Sequence, residues 1–205
     1  HILAWTTTPW TLPSNTALTV GPSIDYVVVS TFNRYTHLPI RVLLAKDLVP
    51  KVFAKVFQQV EAKDDLLTYD KKGKNIPFLI TDEVKGAALV GIRYKQLWSD
   101  APLPHNSPEH AFRVIAGDFV TTDDGTGIVH TAPTFGADDA VVAKQATPEV
   151  PPMLVLDEHE QLVPLVDLRG RFRKELGSLG GKYVKNEYYD DGQAPDKSVD
   201  IEIAI

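Results

Sequence analysis

The pattern of apolar and polar positions predicts three short strands and one helix in the first third of the chain. Two β-rich runs within residues 16–30 are separated by Gly21-Pro22, a dipeptide typical of a turn. Residues 40–45, IRVLLA, predict a third strand. Apolar residues then recur at helical spacing, which predicts a helix with Asp47 as its N-cap. Its apolar face would consist of Leu48, Val52, Phe53, Val56 and Val60.

The next segments predict connections and one bent strand. The polar residues 61–76 are typical of an exposed connection. Residues 84–98 mix small and apolar side chains and predict a strand with a bend. Residues 99–110 contain three prolines and predict a loop.

Two hairpins and a helix follow in the pattern. Residues 112–122 and 127–133 predict paired strands, because Asp124-Gly125 between them is a strong hairpin signal. Residues 136–146 predict a helix with two aspartates in its first turn. The apolar runs 153–157 and 162–166 flank EHEQ and predict the second hairpin.

The last part of the chain predicts loops and one final strand. Residues 171–205 mix glycine, lysine, tyrosine and aspartate and end in IEIAI, which is strand-like. The other end, HILAW, is also apolar, so we expect a domain excised from a longer protein. Many short strands with two or three helices predict a mainly β fold, a closed or nearly closed barrel with helices packed outside it.

Composition limits the possible functions. The chain has 205 residues, enough for one substantial core or two small ones. Cysteine is absent, which excludes disulfides, thiolate zinc sites and cysteine nucleophiles and fits a reducing compartment. The net charge of −6 argues against broad coating of nucleic acid but allows a local groove for a few nucleotides. No Gly-rich phosphate-binding motif is present.

A cluster of hydroxyl side chains near the start is the first candidate site. Threonine hydroxyls both donate and accept hydrogen bonds, so they can hold a ribose, an ester carbonyl or a water molecule. The alternative is a strand that contains threonine and tryptophan because both favour β-structure. Prolines stiffen the segment, and rigid loops often carry binding groups. The cluster consists of Thr6, Thr7, Thr8, Thr11 and Asn15 around Trp5 and Trp10.

The glycine-rich segment GTGIVHTAPTFGADD, residues 125–139, is the second candidate. His130 lies on a predicted strand and Asp139 at a predicted helix start, so both side chains can reach one cleft. Each also has a structural interpretation, as a strand histidine and as an aspartate at a helix N-terminus. His105, His110 and His159 lack metal-ligand spacing. The basic residues 169–174 could contact phosphates or form a solvated face.

Together, WTTTPWTLPSN and GTGIVHTAPTFGADD resemble the paired signatures of the editing domain of isoleucyl-tRNA synthetases. The related valyl and leucyl domains typically have arginine where this chain has Thr8, and the valyl domains have lysine in place of His130. Neither the HIGH-type nor the KMSKS-type signature of a class I catalytic domain occurs. The resemblance implies that residues 1–205 are a single editing domain of the β-barrel-like fold, excised from a larger cytoplasmic synthetase.

The resemblance also implies roles for the two motifs. The domain would hydrolyse valine mis-attached to isoleucine tRNA in a size-excluding pocket without a cofactor or metal. Cleavage of valyl-adenylate before transfer is left open by the sequence. Its partners would be the aminoacylated 3′ end of that tRNA, the valine moiety and the rest of the synthetase, with no membrane. The implied catalytic residues are Thr7, Thr8, His130 and Asp139. The implied substrate-binding residues are Trp5, Thr6, Trp10, Thr11, Asn15 and Asp138.

Other functions remain open at this point. A threonine could form an acyl-enzyme, with His130 as its base. The chain could bind the tRNA end without catalysis. It could also be the threonine-editing domain of a valyl-tRNA synthetase, although Thr8 and His130 argue against this.

Overall fold

The computed structural model describes residues 1–204, which form nine strands and four α-helices. Short 3₁₀ helices, among them Pro9–Ser14, connect these elements. The strands are β1 (Ala17–Val20), β2 (Asp25–Phe32), β3 (Pro39–Ala45), β4 (Phe57–Gln59), β5 (Ile76–Lys85), β6 (Arg113–Ala116), β7 (Ile128–Thr131), β8 (Leu154–Leu156) and β9 (Leu162–Pro164). The α-helices are α1 (Val49–Val52), α2 (Lys63–Leu67), α3 (Ala137–Gln145) and α4 (Val199–Ala204).

The chain divides into two compact units, each made of three segments. The first unit contains residues 1–5, 19–90 and 116–129. The second contains residues 6–18 and 91–115, and the chain from His130 onwards. The strands form three sheets, with the orders β6-β1-β7, β3-β2-β5-β4 and β8-β9.

The first unit is built on the four-stranded sheet. Strand β2 pairs antiparallel with both β3 and β5, and the short β4 joins β5 in parallel. The buried side chains of β2 alternate with less buried ones, as expected for a sheet with one covered face. The apolar core of this unit contains Val27, Val29, Val42, Leu44, Val49, Phe53 and Phe78.

The second unit contains most of the candidate residues. Its larger apolar cluster gathers side chains from the β8–β9 hairpin and from the loops that follow it. A smaller cluster packs one face of α3 against neighbouring strands through Val142 and Ala143. The larger cluster includes Phe112, Met153, Leu165, Phe172, Leu176 and Val199.

Elements with strong local signals agree with the sequence. Strands β1 and β2 are separated by the turn at Gly21-Pro22, and β3 covers the predicted third strand. Helix α3 lies within the predicted residues 136–146, and β8 and β9 form the predicted hairpin. The class, β-strands with helices, is confirmed.

Four predicted elements are wrong. The helix expected from Leu48 is only α1, because residues further along form β4 on the edge of β5. No strand covers residues 84–98 as expected. Strand β5 ends at Lys85, and a 3₁₀ helix begins at Gly86. A β-carbon at Gly86 would clash with the Gly21 carbonyl oxygen, so only glycine allows the two backbone segments to approach this closely at the turn.

The other two errors concern pairing and the end of the chain. Strands β6 and β7 do not form a hairpin, because β1 lies between them. The expected final strand is helix α4, in which Val199 and Ile203 pack against the larger apolar cluster at helical spacing. The last residue of that prediction, 205, lies outside the described residues. The strands of residues 1–204 do not close into a barrel.

None of the helices described in residues 1–204 is both long and apolar enough to cross a membrane.

Candidate functional site

The two motifs singled out in the sequence meet within the second unit. The Thr11 hydroxyl lies 3.0 Å from Nε2 of His130. The Trp10 ring packs edge-on against Phe135, with 5.0 Å between the ring centroids. Side chains of the threonine segment therefore contact both the β7 strand and the turn that precedes α3.

The threonine segment bends sharply into the 3₁₀ helix. The Thr6 hydroxyl accepts a hydrogen bond from the Thr8 backbone N–H at 3.0 Å. The Thr8 carbonyl in turn accepts bonds from the Thr11 N–H at 3.0 Å and the Thr11 hydroxyl at 2.8 Å. Thr7 is exposed, and its hydroxyl and that of Thr8 make no hydrogen bond with residues 1–204. These two hydroxyls can therefore bind a ligand.

His130 is buried, with 6% of its surface exposed, and both ring nitrogens are engaged. The amide nitrogen of Asn15 lies 2.8 Å from the Ala17 carbonyl oxygen and 2.8 Å from Nδ1 of His130. A carbonyl oxygen only accepts, so the atom facing Ala17 must be the NH₂ group, and Nδ1 then accepts its second hydrogen. The ring proton is therefore on Nε2 and is donated to Thr11.

This arrangement determines what His130 can do chemically. Burial lowers its pKa from 6.5 to about 4, so the ring is neutral near pH 7. Its one basic lone pair already accepts from Asn15, and its N–H already donates to Thr11. The geometry therefore favours a role for His130 in holding the threonine segment in place, rather than in abstracting a proton from water.

Tyr94 completes this network and is not predicted by either sequence motif. Its hydroxyl donates to Oδ1 of Asn15 at 2.5 Å. The backbone N–H of Tyr94 is bound to the Phe112 carbonyl, and the two rings are in edge contact. No motif surrounds Tyr94 in the sequence, so only the three-dimensional contact reveals it.

Asp139 lies in the first turn of α3 and is half-buried. Its Oδ2 accepts a hydrogen bond from the Ala132 N–H at 2.8 Å, and its Oδ1 makes none with residues 1–204. Burial raises the pKa of the carboxyl group, and the neighbouring Asp138 charge adds to this. The side chain passes close over Gly136, where a β-carbon would lie 2.8 Å from Cγ of Asp139. One carboxylate oxygen is thus held in place and the other is available to a cation.

The remaining predicted residues occupy different environments. Trp10 is fixed at its backbone, since its N–H donates to Oδ1 of Asp200 at 2.8 Å. Asp138 is exposed on α3. Trp5 belongs to the first unit, where it is 50% exposed and covers Gly125, which has a positive φ of 74°.

Nothing in the rest of residues 1–204 forms a metal site from three or more histidine, cysteine, aspartate or glutamate side chains. His105 lies in a loop, His110 ends the 3₁₀ helix Pro108–His110, and His159 lies in a turn. Within the basic segment 169–174, Arg171 pairs with Asp167 at 3.4 Å, and Arg173 donates to the Pro164 carbonyl.

No family model matches the chain. Among solved structures, the editing domain of Plasmodium falciparum cytosolic leucyl-tRNA synthetase is 15% identical, with a TM-score of 0.49 over 70% of this chain and 44% of that chain. The corresponding Plasmodium knowlesi domain is 15% identical, with a TM-score of 0.48 over 73% of this chain and 53% of that chain.

Similarity to curated sequences is much stronger. An isoleucine–tRNA ligase of Cytophaga hutchinsonii is 55% identical over 93% of this chain, and one of Bacteroides fragilis is 46% identical over 100% of it. The cytoplasmic isoleucine–tRNA ligase of Saccharomyces cerevisiae is 36% identical over 91% of the chain. The chain spans only 15% to 18% of the length of these relatives. It belongs to the isoleucine–tRNA ligase family, as the counterpart of one segment of those longer proteins.

Proposed function

We propose that the chain is a single editing domain that hydrolyses valine mis-attached to isoleucine tRNA. The contact between the threonine segment and His130, at 3.0 Å, is the observation on which this proposal chiefly rests. It joins the two motifs whose combination resembles the editing domain. The strong similarity to isoleucine–tRNA ligases supports the same function.

Asp139 is proposed to bind the α-ammonium group of the esterified amino acid. Its Oδ2 is anchored by the Ala132 N–H, so Oδ1 is presented in a fixed direction. A charge-assisted hydrogen bond to an ammonium group is stronger than a neutral one. Because burial and Asp138 raise the carboxyl pKa, a bound cation would relieve an unfavourable charge. Uncharged tRNA has no ammonium group and would lack this interaction.

The threonine segment is proposed to bind the terminal adenosine and the attacking water. The Thr7 and Thr8 hydroxyls make no hydrogen bonds within residues 1–204 and can orient that water. The water oxygen bonds to the ester carbonyl carbon, the ester C–O bond breaks, and the proton passes to the departing ribose oxygen. Free valine and deacylated tRNA result. An aminoacyl ester is already activated, so a placed water and the vicinal ribose hydroxyl can supply catalysis without a general base from His130.

Trp10 is proposed as the wall that excludes isoleucine. Its backbone is fixed by Asp200 and its ring rests on Phe135, so it cannot easily yield to one additional methylene. Selection by size is needed because an apolar pocket discriminates poorly against a smaller side chain, a limit for which isoleucyl-tRNA synthetase and valine are themselves the standard example.

The test is hydrolysis by the full-length parent enzyme, assayed with valyl and isoleucyl esters of isoleucine tRNA and with threonyl ester of valine tRNA. We expect rapid release of valine only. Thr8→Arg should slow valine release, because arginine fills the site beside the threonine hydroxyls, whereas Thr8→Ser retains a hydroxyl and most of the activity. Preference for the threonyl ester would instead identify a valyl-type domain, and binding without hydrolysis would identify a non-catalytic module.

A further inference from the structure

We propose that Tyr94 is a positioning residue that fixes the orientation of the Asn15 amide. The orientation of this amide sets the tautomer of His130, and that tautomer in turn holds the threonine segment in place. The structural part of this inference stands on the geometry alone. Its consequence for catalysis rests on the proposed editing function.

The network has one consistent direction of donation. Tyr94 donates its hydroxyl proton to Oδ1 of Asn15 at 2.5 Å, and Asn15 donates to Nδ1 of His130 at 2.8 Å. His130 donates from Nε2 to the Thr11 hydroxyl, which donates to the Thr8 carbonyl at 2.8 Å. The Asn15 NH₂ group also faces the Ala17 carbonyl at 2.8 Å and the Thr131 carbonyl at 3.4 Å, which fixes the end of the amide that lies toward His130. Reversing one member of the series would therefore require the next to reverse as well.

Tyr94 is suited to begin this series. Burial raises the pKa of its hydroxyl, so Tyr94 stays protonated and remains a donor at any working pH. Its backbone N–H is bound to the Phe112 carbonyl at 2.9 Å, and its ring lies edge-on to Phe112 at 6.2 Å. The hydroxyl is thus held from outside the two motifs.

Loss of the Tyr94 hydroxyl would leave Oδ1 of Asn15 buried without a donor. The Asn15 amide could then rotate, so that its oxygen accepts from Nδ1 of His130, at the cost of facing the Ala17 carbonyl. His130 would carry its proton on Nδ1, and the Thr11 hydroxyl would turn from the Thr8 carbonyl toward Nε2. The Thr8 carbonyl would keep only the Thr11 backbone N–H as its donor.

The first measurement is ¹⁵N NMR of the His130 ring, made on this chain in wild-type and Tyr94→Phe forms. We expect a proton on Nε2 only in the wild type, and a measurable fraction with the proton on Nδ1 in Tyr94→Phe. Tyr189→Phe is the matched control, because the Tyr189 hydroxyl lies outside the network and, among residues 1–204, accepts only from the Tyr183 N–H. Asn15→Asp provides a reference for the opposite tautomer, since a carboxylate can only accept from the ring. An unchanged wild-type tautomer in Tyr94→Phe would overturn the proposal.

The second measurement is deacylation of valyl-tRNA by the full-length parent enzyme carrying the same substitutions. Tyr94→Phe should lower kcat about tenfold, the scale expected for one lost hydrogen bond, with KM unchanged. Tyr189→Phe should keep the wild-type kcat. A changed tautomer with unchanged kcat would overturn the positioning role. A wild-type enzyme without hydrolysis would refute the editing function while leaving the NMR result valid.

Discussion

At the scale of single residues, an isosteric variant tests the proposed pairing of Asp139 with the substrate ammonium group, because it keeps the bond that holds Oδ2 in place. Asp139→Asn keeps an oxygen that accepts from the Ala132 N–H but removes the charge. Because a hydrogen bond to a charged group contributes about 1.5–3 kcal/mol, we expect valine release to fall by roughly one to two orders of magnitude while thermal stability changes little. Asp139→Ala removes the charge and also the acceptor for the Ala132 N–H, so it should lower both valine release and thermal stability.

The control for this prediction is Glu149→Gln, which removes one exposed negative charge of the second unit outside the candidate site. It should retain wild-type hydrolysis in the same valyl-tRNA assay. Normal hydrolysis by Asp139→Asn would refute the pairing of the carboxylate with the substrate ammonium group.

His130 makes folding stability depend on pH. The unfolded histidine takes up a proton at its ordinary pKa of 6.5, whereas the buried ring does so only near 4. Its contribution is therefore complete above pH 6.5 and is lost as the pH falls toward 4, because only the unfolded chain binds the proton. The loss is roughly 3 kcal/mol. Denaturant unfolding of wild type and His130→Gln at pH 7, 5.5 and 4 measures it, and identical pH dependence in both would contradict this explanation.

The hydrogen-bond network around His130 shows which parts of the candidate site could be predicted from the sequence. Two separate motifs predict Thr11, Asn15 and His130 as site residues, and the structure links these residues by hydrogen bonds. The direction of those bonds could not be predicted, because it depends on the Ala17 carbonyl and on Tyr94, which no motif marks. A histidine that suits base catalysis by its ordinary pKa is here buried and doubly bonded.

At the scale of elements, local signals predicted α3 and the β8–β9 hairpin well, since turn residues and first-turn aspartates lie within those segments. The helix expected from Leu48 failed at its second half, where pairing of Phe57–Gln59 with Ile76–Phe78 decides the conformation. The apolar periodicity there fits either structure, and the partner strand lies well beyond the reach of a local pattern.

The turn before α3 gives the prediction at this scale. Gly136 precedes the helix, and a β-carbon there would lie 2.8 Å from Cγ of Asp139. Gly136→Ala should therefore displace the carboxylate, destabilise the fold by about 1–3 kcal/mol and reduce valine release. Lys144→Ala, in the exposed last turn of α3, is the control and should alter neither. Unfolding curves and the deacylation assay measure both effects, and a Gly136→Ala variant with wild-type activity would show that Asp139 tolerates the shift.

At the scale of the whole molecule, the sequence predicted the fold class, β-strands with helices, but not which strands pair with each other. The strand β6 was expected to pair with β7, yet β1, from a distant part of the chain, lies between them. A turn signal at Asp124-Gly125 specifies a change of direction, not which strand becomes the neighbour. Three sheets in residues 1–204 replace the expected closed or nearly closed barrel.

The net charge of the whole chain leads to a prediction about tRNA binding. With a charge of −6, the chain lacks the excess of lysine and arginine needed to neutralise many phosphates. If it holds only the aminoacylated end, the logarithm of its association constant should fall with the logarithm of salt concentration with a slope no steeper than about −3, which corresponds to about four single-stranded phosphates. Fluorescence titration of isoleucine tRNA at salt concentrations of about 50–300 mM measures this slope.

The full-length parent should give a steeper slope, because its remaining segments add phosphate contacts. An equally steep slope for the isolated chain would mean that its own surface carries an extended tRNA-binding groove.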